Sequence, residues 1–384
     1  MNSTDIPSDI LSEIIAHVTT GSTYKSCTLV SRAWHRAARA NSHMIEGLTN
    51  QLQELIRHYP AANWYWPPIS KSRLITFDFV AANYLLPWDY SALSTNANIS
   101  VSTMFAHPLY RWDFYQASLN PNIDMRLVLK NTTIWNWAWL SRNPRICIDF
   151  IMSHMGLPWN WLELSGNPSI DIDDILANRA LPWNWPIVSR KVKSIEIVEN
   201  NPDIRFSWAE LSRALQVTLD IITKYQDMWV WYELSRNPSV TIDIILQYRS
   251  REWSWYWLSR HVHTDDIKNN MDLPWEWLRI SDNHTITMNL IKDNPTKLWW
   301  WQSISHNPGI TIEDVKANPD FPWDWYWLSQ NPNTTMDIVR NNPGMPWDIS
   351  GLSFNHNLTA AYVISTPTLS WQFSLISHNS FGKK

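Results

Sequence analysis

Three kinds of side chain recur in this chain often enough to invite a chemical reading: serine, histidine and tryptophan. Serine stands at Ser70, Ser94, Ser118, Ser141, Ser165, Ser189, Ser212, Ser235, Ser259, Ser281, Ser305, Ser329, Ser353 and Ser377, at steps of 22 to 24 residues. A nucleophilic serine needs its own base and its own oxyanion pocket. Fourteen copies at a fixed step therefore speak for a structural duty, such as bonding back to a carbonyl three or four residues earlier in a helix. The histidines His154, His261, His263, His284, His306, His356 and His378 fall at mixed positions, which reads as corners and surface and not as a ligand set. The chain has no Gly-rich phosphate loop, no His-Glu-x-x-His, no nucleophile elbow and no Cys pair at metal spacing. It is read as a non-enzyme without cofactor or metal, whose function lies in its surfaces.

The serines belong to a longer phrase, written plainly from Pro322 to Pro332 as Pro-Trp-Asp-Trp-Tyr-Trp-Leu-Ser-Gln-Asn-Pro. Its first aromatic recurs at Trp64, Trp88, Trp112, Trp135, Trp159, Trp183, Phe206, Trp229, Trp253, Trp275, Trp299, Trp323, Trp347 and Trp371. These origins define units 1 to 14, mostly 24 residues apart. A fixed short period marks a solenoid, whose units bury their apolar faces only against neighbours. With 28 Trp in 384 residues the chain has the large side chains that such short units need.

Within a unit, Pro322 suits the first turn of a helix A, and Trp325, Leu328 and Ser329 share one face. Asn331-Pro332 ends it, because the residue before proline is pushed out of the α region. Helix B is plainest from Thr311 to Asn318, where Thr311 and Asp314 have capping-box spacing. The competing β-solenoid or leucine-rich reading rests on Leu328-Ser329-x-Asn331, but the apolar phase shifts from two to three after Trp325. The expectation is an all-α chain: a short N-terminal helical module at 1–45, a degenerate capping repeat at 46–63, and a curved α-solenoid of about fourteen 24-residue helix-pair repeats at 64–384. The aromatic two residues after each origin and the Leu five after it are expected to be buried.

The array is not uniform. Unit 6 carries Arg190-Lys191-Val192-Lys193 where others have an Asn-Pro corner, unit 7 reads Arg213-Ala214-Leu215 there, and unit 9 is shortened around His261-Val262-His263. Departures of this kind mark an irregular turn or a place where a partner is gripped. The position four after the origin varies, holding Trp139, Trp257 and Trp327 as well as Glu163, Glu210, Glu233, Arg279 and Ser303. Trp139, Lys191, Lys193, Trp257 and Trp327 are the candidate target-binding residues.

A formal charge of −4 gives no general attraction to phosphates, so neither nucleic acid nor membrane is expected as a partner. Two Cys far apart argue against a disulfide framework and for a reducing compartment. With acidic Asp5, Asp9 and Glu13 the N-terminus is not expected to be a signal peptide, and no apolar run approaches a membrane span. An intracellular location follows.

Near the N-terminus, Ile10, Leu11, Ile14 and Ile15 form one apolar face after Pro7, and Leu29, Val30, Ala33, Trp34 and Ala37 form another. The blocks Ile6-Pro7-x-Asp9-Ile10-Leu11 and Leu29-Val30-Ser31-Arg32-x-Trp34 resemble the F-box, the module that binds the adaptor subunit of a cullin-type ubiquitin ligase. The resemblance implies Pro7, Ile10, Leu11, Leu29, Val30 and Trp34 as adaptor-facing or core-forming residues. Residues 64–384 resemble tryptophan-rich tandem repeats in proteins of large DNA viruses, which implies a viral protein of the host cytoplasm or viral factory. Together these resemblances imply an adaptor that brings a host or viral target, held by the solenoid, to the ligase. The alternative is a structural scaffold in which the first 45 residues only cap the array.

Overall fold

Each repeat carries two helix starts and two stops, and the computed structural model, which describes residues 50–381, contains both helices of the pair. In unit 12, helix A runs Trp325–Gln330, its N-cap Asp324 accepting the Trp327 N–H, and Asn331 ends it. The start expected at Pro322 is three residues too early. Asp324 is still extended, at φ −93° and ψ 107°, so the helix begins only after the acid whose carboxylate satisfies an N-terminal donor. Asp89, Asp113, Asn136, Asn160, Asn184, Ser207 and Asp348 cap in the same way. Helix B of unit 11 runs Ile312–Ala317, and both halves of the Thr311–Asp314 capping box are made.

Helices this short do not hold by themselves. Twenty-eight of them succeed one another among the described residues, with no strand, and their stability comes from the contact between units. The residue five after the origin is buried in every unit, from Ile69 to Ile376. The outer edge of the core differs from expectation: Trp231 is buried, but Trp137, Trp161, Trp185, Trp255, Trp277, Trp301 and Trp325 are half-buried. The reason is their job as lids. Each sets its edge on the first Trp or Phe of the next unit; where both rings are Trp the centroids lie 5.0–5.4 Å apart at 79–89°, the edge-to-face arrangement that aromatic quadrupoles favour.

Two polar devices run beneath these rings. The recurrent serine accepts, at 2.8–3.0 Å, the N–H of the residue after the next unit's first aromatic, as in Ser94 with Asp113, Ser165 with Asn184 and Ser329 with Asp348. In most units its own hydroxyl donates four residues back, for example Ser141 to the Trp137 carbonyl at 2.7 Å. The corner asparagine forms the second device. Asn120 is fully buried and its amide donates to the carbonyls of Ser94, Asn96 and Ile99 in the preceding unit, at 3.0, 3.1 and 2.8 Å, while its Oδ1 accepts the Asn122 N–H.

These contacts do not stop at unit 14. Ser377 Oγ accepts the Tyr65 N–H at 2.9 Å, across 312 residues, which is the same bond that joins every other pair of units. Phe373 meets Trp64 edge to face at 4.9 Å, in the place of the Trp–Trp contact. The helix Gln51–His58 lies against Ala360–Ser365, helix B of unit 13, and Gln51 Oε1 accepts the Ala360 N–H at 2.8 Å. Tyr59, which ends that helix, lies 5.0 Å from Phe373 and its carbonyl receives the Trp64 indole N–H. Tyr248 does both for Trp231 and Trp253. Gln51–His58 is therefore helix B of unit 14, and the stack is a closed ring.

The 46–63 stretch, as far as it is described, supplies the second half of the last unit. The N-terminal module expected at 1–45, with Pro7, Ile10, Leu11, Leu29, Val30 and Trp34, lies outside the described residues. Closure over fourteen units fixes the mean turn per unit at about 26°. Consecutive A helices pack on one another around most of the ring, whereas consecutive B helices rarely come as close. The A helices therefore form the tighter inner course and the B helices the wider outer one. No helix among the described residues is long and apolar enough to cross a membrane.

The seam predicts its own test. Leu55 is fully buried in the Gln51–His58 helix, so Leu55→Ala should cost about 2–5 kcal/mol. Hydrogen exchange should quicken at the seam-spanning amides of Tyr65 and Ala360 more than at Asn160 and Asn184; uniform quickening would contradict local closure.

Candidate target-binding face

Once the core and the two ladders have taken their residues, helix A has three positions left that face outward, three, four and seven after the origin. In units 6 to 9 the seventh is always arginine: Arg190, Arg213, Arg236 and Arg260. Each reaches the next unit. Arg190 forks onto Glu210, with both bonds at 2.9 Å, and Arg213 meets Glu233 at 2.6 Å. The Arg190 guanidinium holds the Glu210 carboxyl below its ordinary range, against the opposing effect of burial. Such pairs at a surface add little stability, but they fix long side chains in register. Arg236 then lies over the Trp257 ring at 4.2 Å, and Arg279 over Tyr256 at 4.5 Å.

Of the residues singled out from the sequence, three belong to this course. Trp257 receives Arg236, Trp327 stands edge to face with His306 at 5.4 Å, and Trp139 leans on Tyr115 at 5.1 Å; all three are half-buried with exposed neighbours such as Tyr115, Tyr232 and Tyr326. They are spread over units 4, 9 and 12 and do not touch one another. Lys191 has a different role. It occupies the corner-asparagine position, and its ammonium donates to the carbonyls of Asn167 and Ile170 in the preceding unit, doing the work of the missing amide. Burial pushes its pKa down, and Asp171 and Asp174 partly offset that. Lys191 belongs to the ladder and not to a binding face, whereas Lys193 is exposed.

Units 7 and 9 dispense with the amide by extending helix A one residue, through Ala214 and His261, and unit 9 also shortens the corner by two residues. Leu215 and Val262 are buried there, and their carbonyls receive Asn237 and Asn283 from the following units. The irregularity at 186–215 is thus largely a change of corner chemistry. What sequence reading missed is the arginine column, legible as one residue type at one position in four consecutive units, and its aromatic platforms Tyr256 and Trp300.

The histidines are likewise structural where they are buried. His261 Nδ1 lies 2.9 Å from the Trp257 carbonyl, and desolvation lowers its pKa. Among the described residues, no group of three or more His, Cys, Asp or Glu is placed to hold a metal ion. In comparisons with family models, curated proteins and solved structures, nothing matches this chain.

Two outcomes follow from these placements. Lys191→Met should destabilise the ring by about 1–3 kcal/mol by leaving the buried Ile170 carbonyl unpaired and the Asn167 carbonyl with the Ile170 N–H alone, while Lys191→Asn should be tolerated; equal losses in thermal unfolding would contradict the ladder role. For His261, the unfolded chain takes up a proton near 6.5 and the folded ring only at lower pH, so the unfolded state binds more protons between the two values. Stability should therefore fall as pH is lowered from about 7 to about 5. His261→Asn should shrink that fall in urea titrations, and an unchanged pH dependence would exclude His261 as its source.

Proposed function

We propose that this chain is a protein-interaction adaptor: residues 1–45 dock on the adaptor subunit of a cullin-type ubiquitin ligase, and the inner course of the ring holds the target. The observation that carries the second half is the run of Arg236, Tyr256, Trp257, Arg260, Arg279 and Trp300 on adjoining A helices, held in register by stacking. Arginine, tryptophan and tyrosine are the side chains in which interface energy concentrates, and a closed ring presents them with little conformational freedom left to lose. The first half rests on the paired blocks Ile6-Pro7 and Leu29-Val30-Ser31. The resemblance of the repeats supports a viral protein acting in the host cytoplasm or a viral factory.

A scaffold that polymerises by stacking arrays end to end would need free ends. Here units 1 and 14 cover each other, which supports the adaptor reading over that one.

The test is a calorimetric titration of purified ligase adaptor against the full chain, a chain lacking residues 1–45, and Leu11→Asp, with circular dichroism as a folding control. The full chain should bind, the shortened chain should not, and the substitution should weaken binding by at least about 1 kcal/mol. Equal binding by all three, or by none, would overturn the docking half.

A further inference from the structure

The arginine relay has a rule, and the rule breaks at one place. The arginine seven after one origin pairs with the residue four after the next, a glutamate in units 7 and 8: Arg190 with Glu210 and Arg213 with Glu233. In units 9 and 10 that position holds Trp257 and Arg279, so two successive acids are missing.

The guanidiniums beyond the break are left under-served. Arg236 can only reach back to Glu233, at 3.6 Å, a carboxylate that Arg213 already holds at 2.6 Å. Arg260 and Arg279 share Asp282, each at 3.8 Å. These separations are beyond hydrogen-bonding range. The Nε of Arg279 is buried and has no hydrogen-bond partner among the described residues. Aromatic faces take up the slack: Arg260 lies 5.5 Å from the Trp257 ring and Arg279 lies 4.5 Å from Tyr256 and 5.7 Å from Trp300. Arg260 Nη1 also reaches the Tyr256 hydroxyl at 3.4 Å, but ring faces attract a guanidinium without offering acceptors to the N–H donors in its own plane.

We propose that Arg236, Arg260 and Arg279, framed by Tyr256, Trp257 and Trp300, bind a carboxylate of an acidic segment of a partner protein. The occupant's chemistry is read from the neighbouring units, where the group seated ahead of each arginine is the carboxylate of Glu210 or Glu233. An incoming acid supplies from outside the carboxylate that Trp257 and Arg279 do not, and offers planar oxygens to which arginine's fork donates in pairs. The flanking rings shelter that contact from water and accommodate an apolar neighbour of the acid. The site rests on the reading of the inner course as the target-holding face and is independent of docking by residues 1–45.

The experiment is a fluorescence-anisotropy titration of the full chain with a labelled peptide of about eight Glu and Leu residues, its Gln-for-Glu counterpart, and a phosphoserine-for-Glu counterpart. The Glu peptide should bind at least about tenfold more tightly than the Gln peptide and lose affinity as salt is raised. Arg279→Gln and Arg236→Gln should each weaken it by about tenfold. Asp282→Asn removes a competing carboxylate and should tighten it, and Arg142→Gln, outside the cluster, should leave it unchanged. A purely structural cluster would lose affinity in Asp282→Asn as well, and that result would overturn the proposal. So would equal binding of the Glu and Gln peptides, or binding of the phosphoserine peptide alone, which would assign the site to phosphate. The ligase-adaptor titration run on the same samples separates the two readings: peptide binding without adaptor binding fails only the docking half, and adaptor binding without peptide binding fails only this site.

Discussion

A serine hydroxyl has one proton to give and room for two to receive, and the ring uses its accepting side in every unit and its donating side in most of them. The hydroxyl donates within its own A helix and accepts the backbone N–H that opens the next one. Both ends of the contact are sealed from water, since none of these serines is more than 2% exposed. Each such bond is worth about 1 kcal/mol net, but leaving its buried backbone donor unpaired would cost more. The geometry is equally exacting, because the group must be short enough for two helices to meet across it. Alanine would orphan the donor, and a longer side chain would push the units apart.

Around that contact the other repeated residues divide the remaining work. The corner asparagine ties down carbonyls that the short helices cannot satisfy internally, and the Trp–Trp pair closes the apolar layer above it. Gly351 sits at a close approach of this kind, for a Cβ there would run into the Tyr326 carbonyl of the preceding unit. Where the asparagine is lost, its function is kept by other means: Lys191 substitutes an ammonium, and at the Leu215 and Val262 corners helix A runs on through the asparagine position. The backbone carbonyls set the requirement, and several side chains meet it.

This explains what could be read from the sequence and what could not. The period, the Asn-Pro stops and the Thr311 capping box are local signals, and the helix pairs follow from them. The true start of helix A was present as Asp324 but masked by Pro322, which is also a good first-turn residue. The half-burial of Trp325 and the role of Lys191 depend on the unit next door, which no window of a single repeat contains. Closure is harder still to read. It depends on the sum of small rotations, and nothing in Gln51–His58 announces a partner about 300 residues away. The nearest hint was that its Tyr59-Pro60 ending matches the way helix B ends before Trp323.

That distance has a consequence in time. A linear solenoid can fold behind the growing chain, each unit settling on the one before it. This ring cannot finish that way, because the helix that completes unit 14 is among the earliest described segments synthesised and its site is the latest. At about 5–20 residues per second, the side of Gln51–His58 that meets Ala360–Ser365 would wait uncovered for roughly 15 to 60 seconds. During synthesis the first half of the seam is an exposed apolar helix in need of shelter, and the ring is as much a problem in chaperoning as in packing.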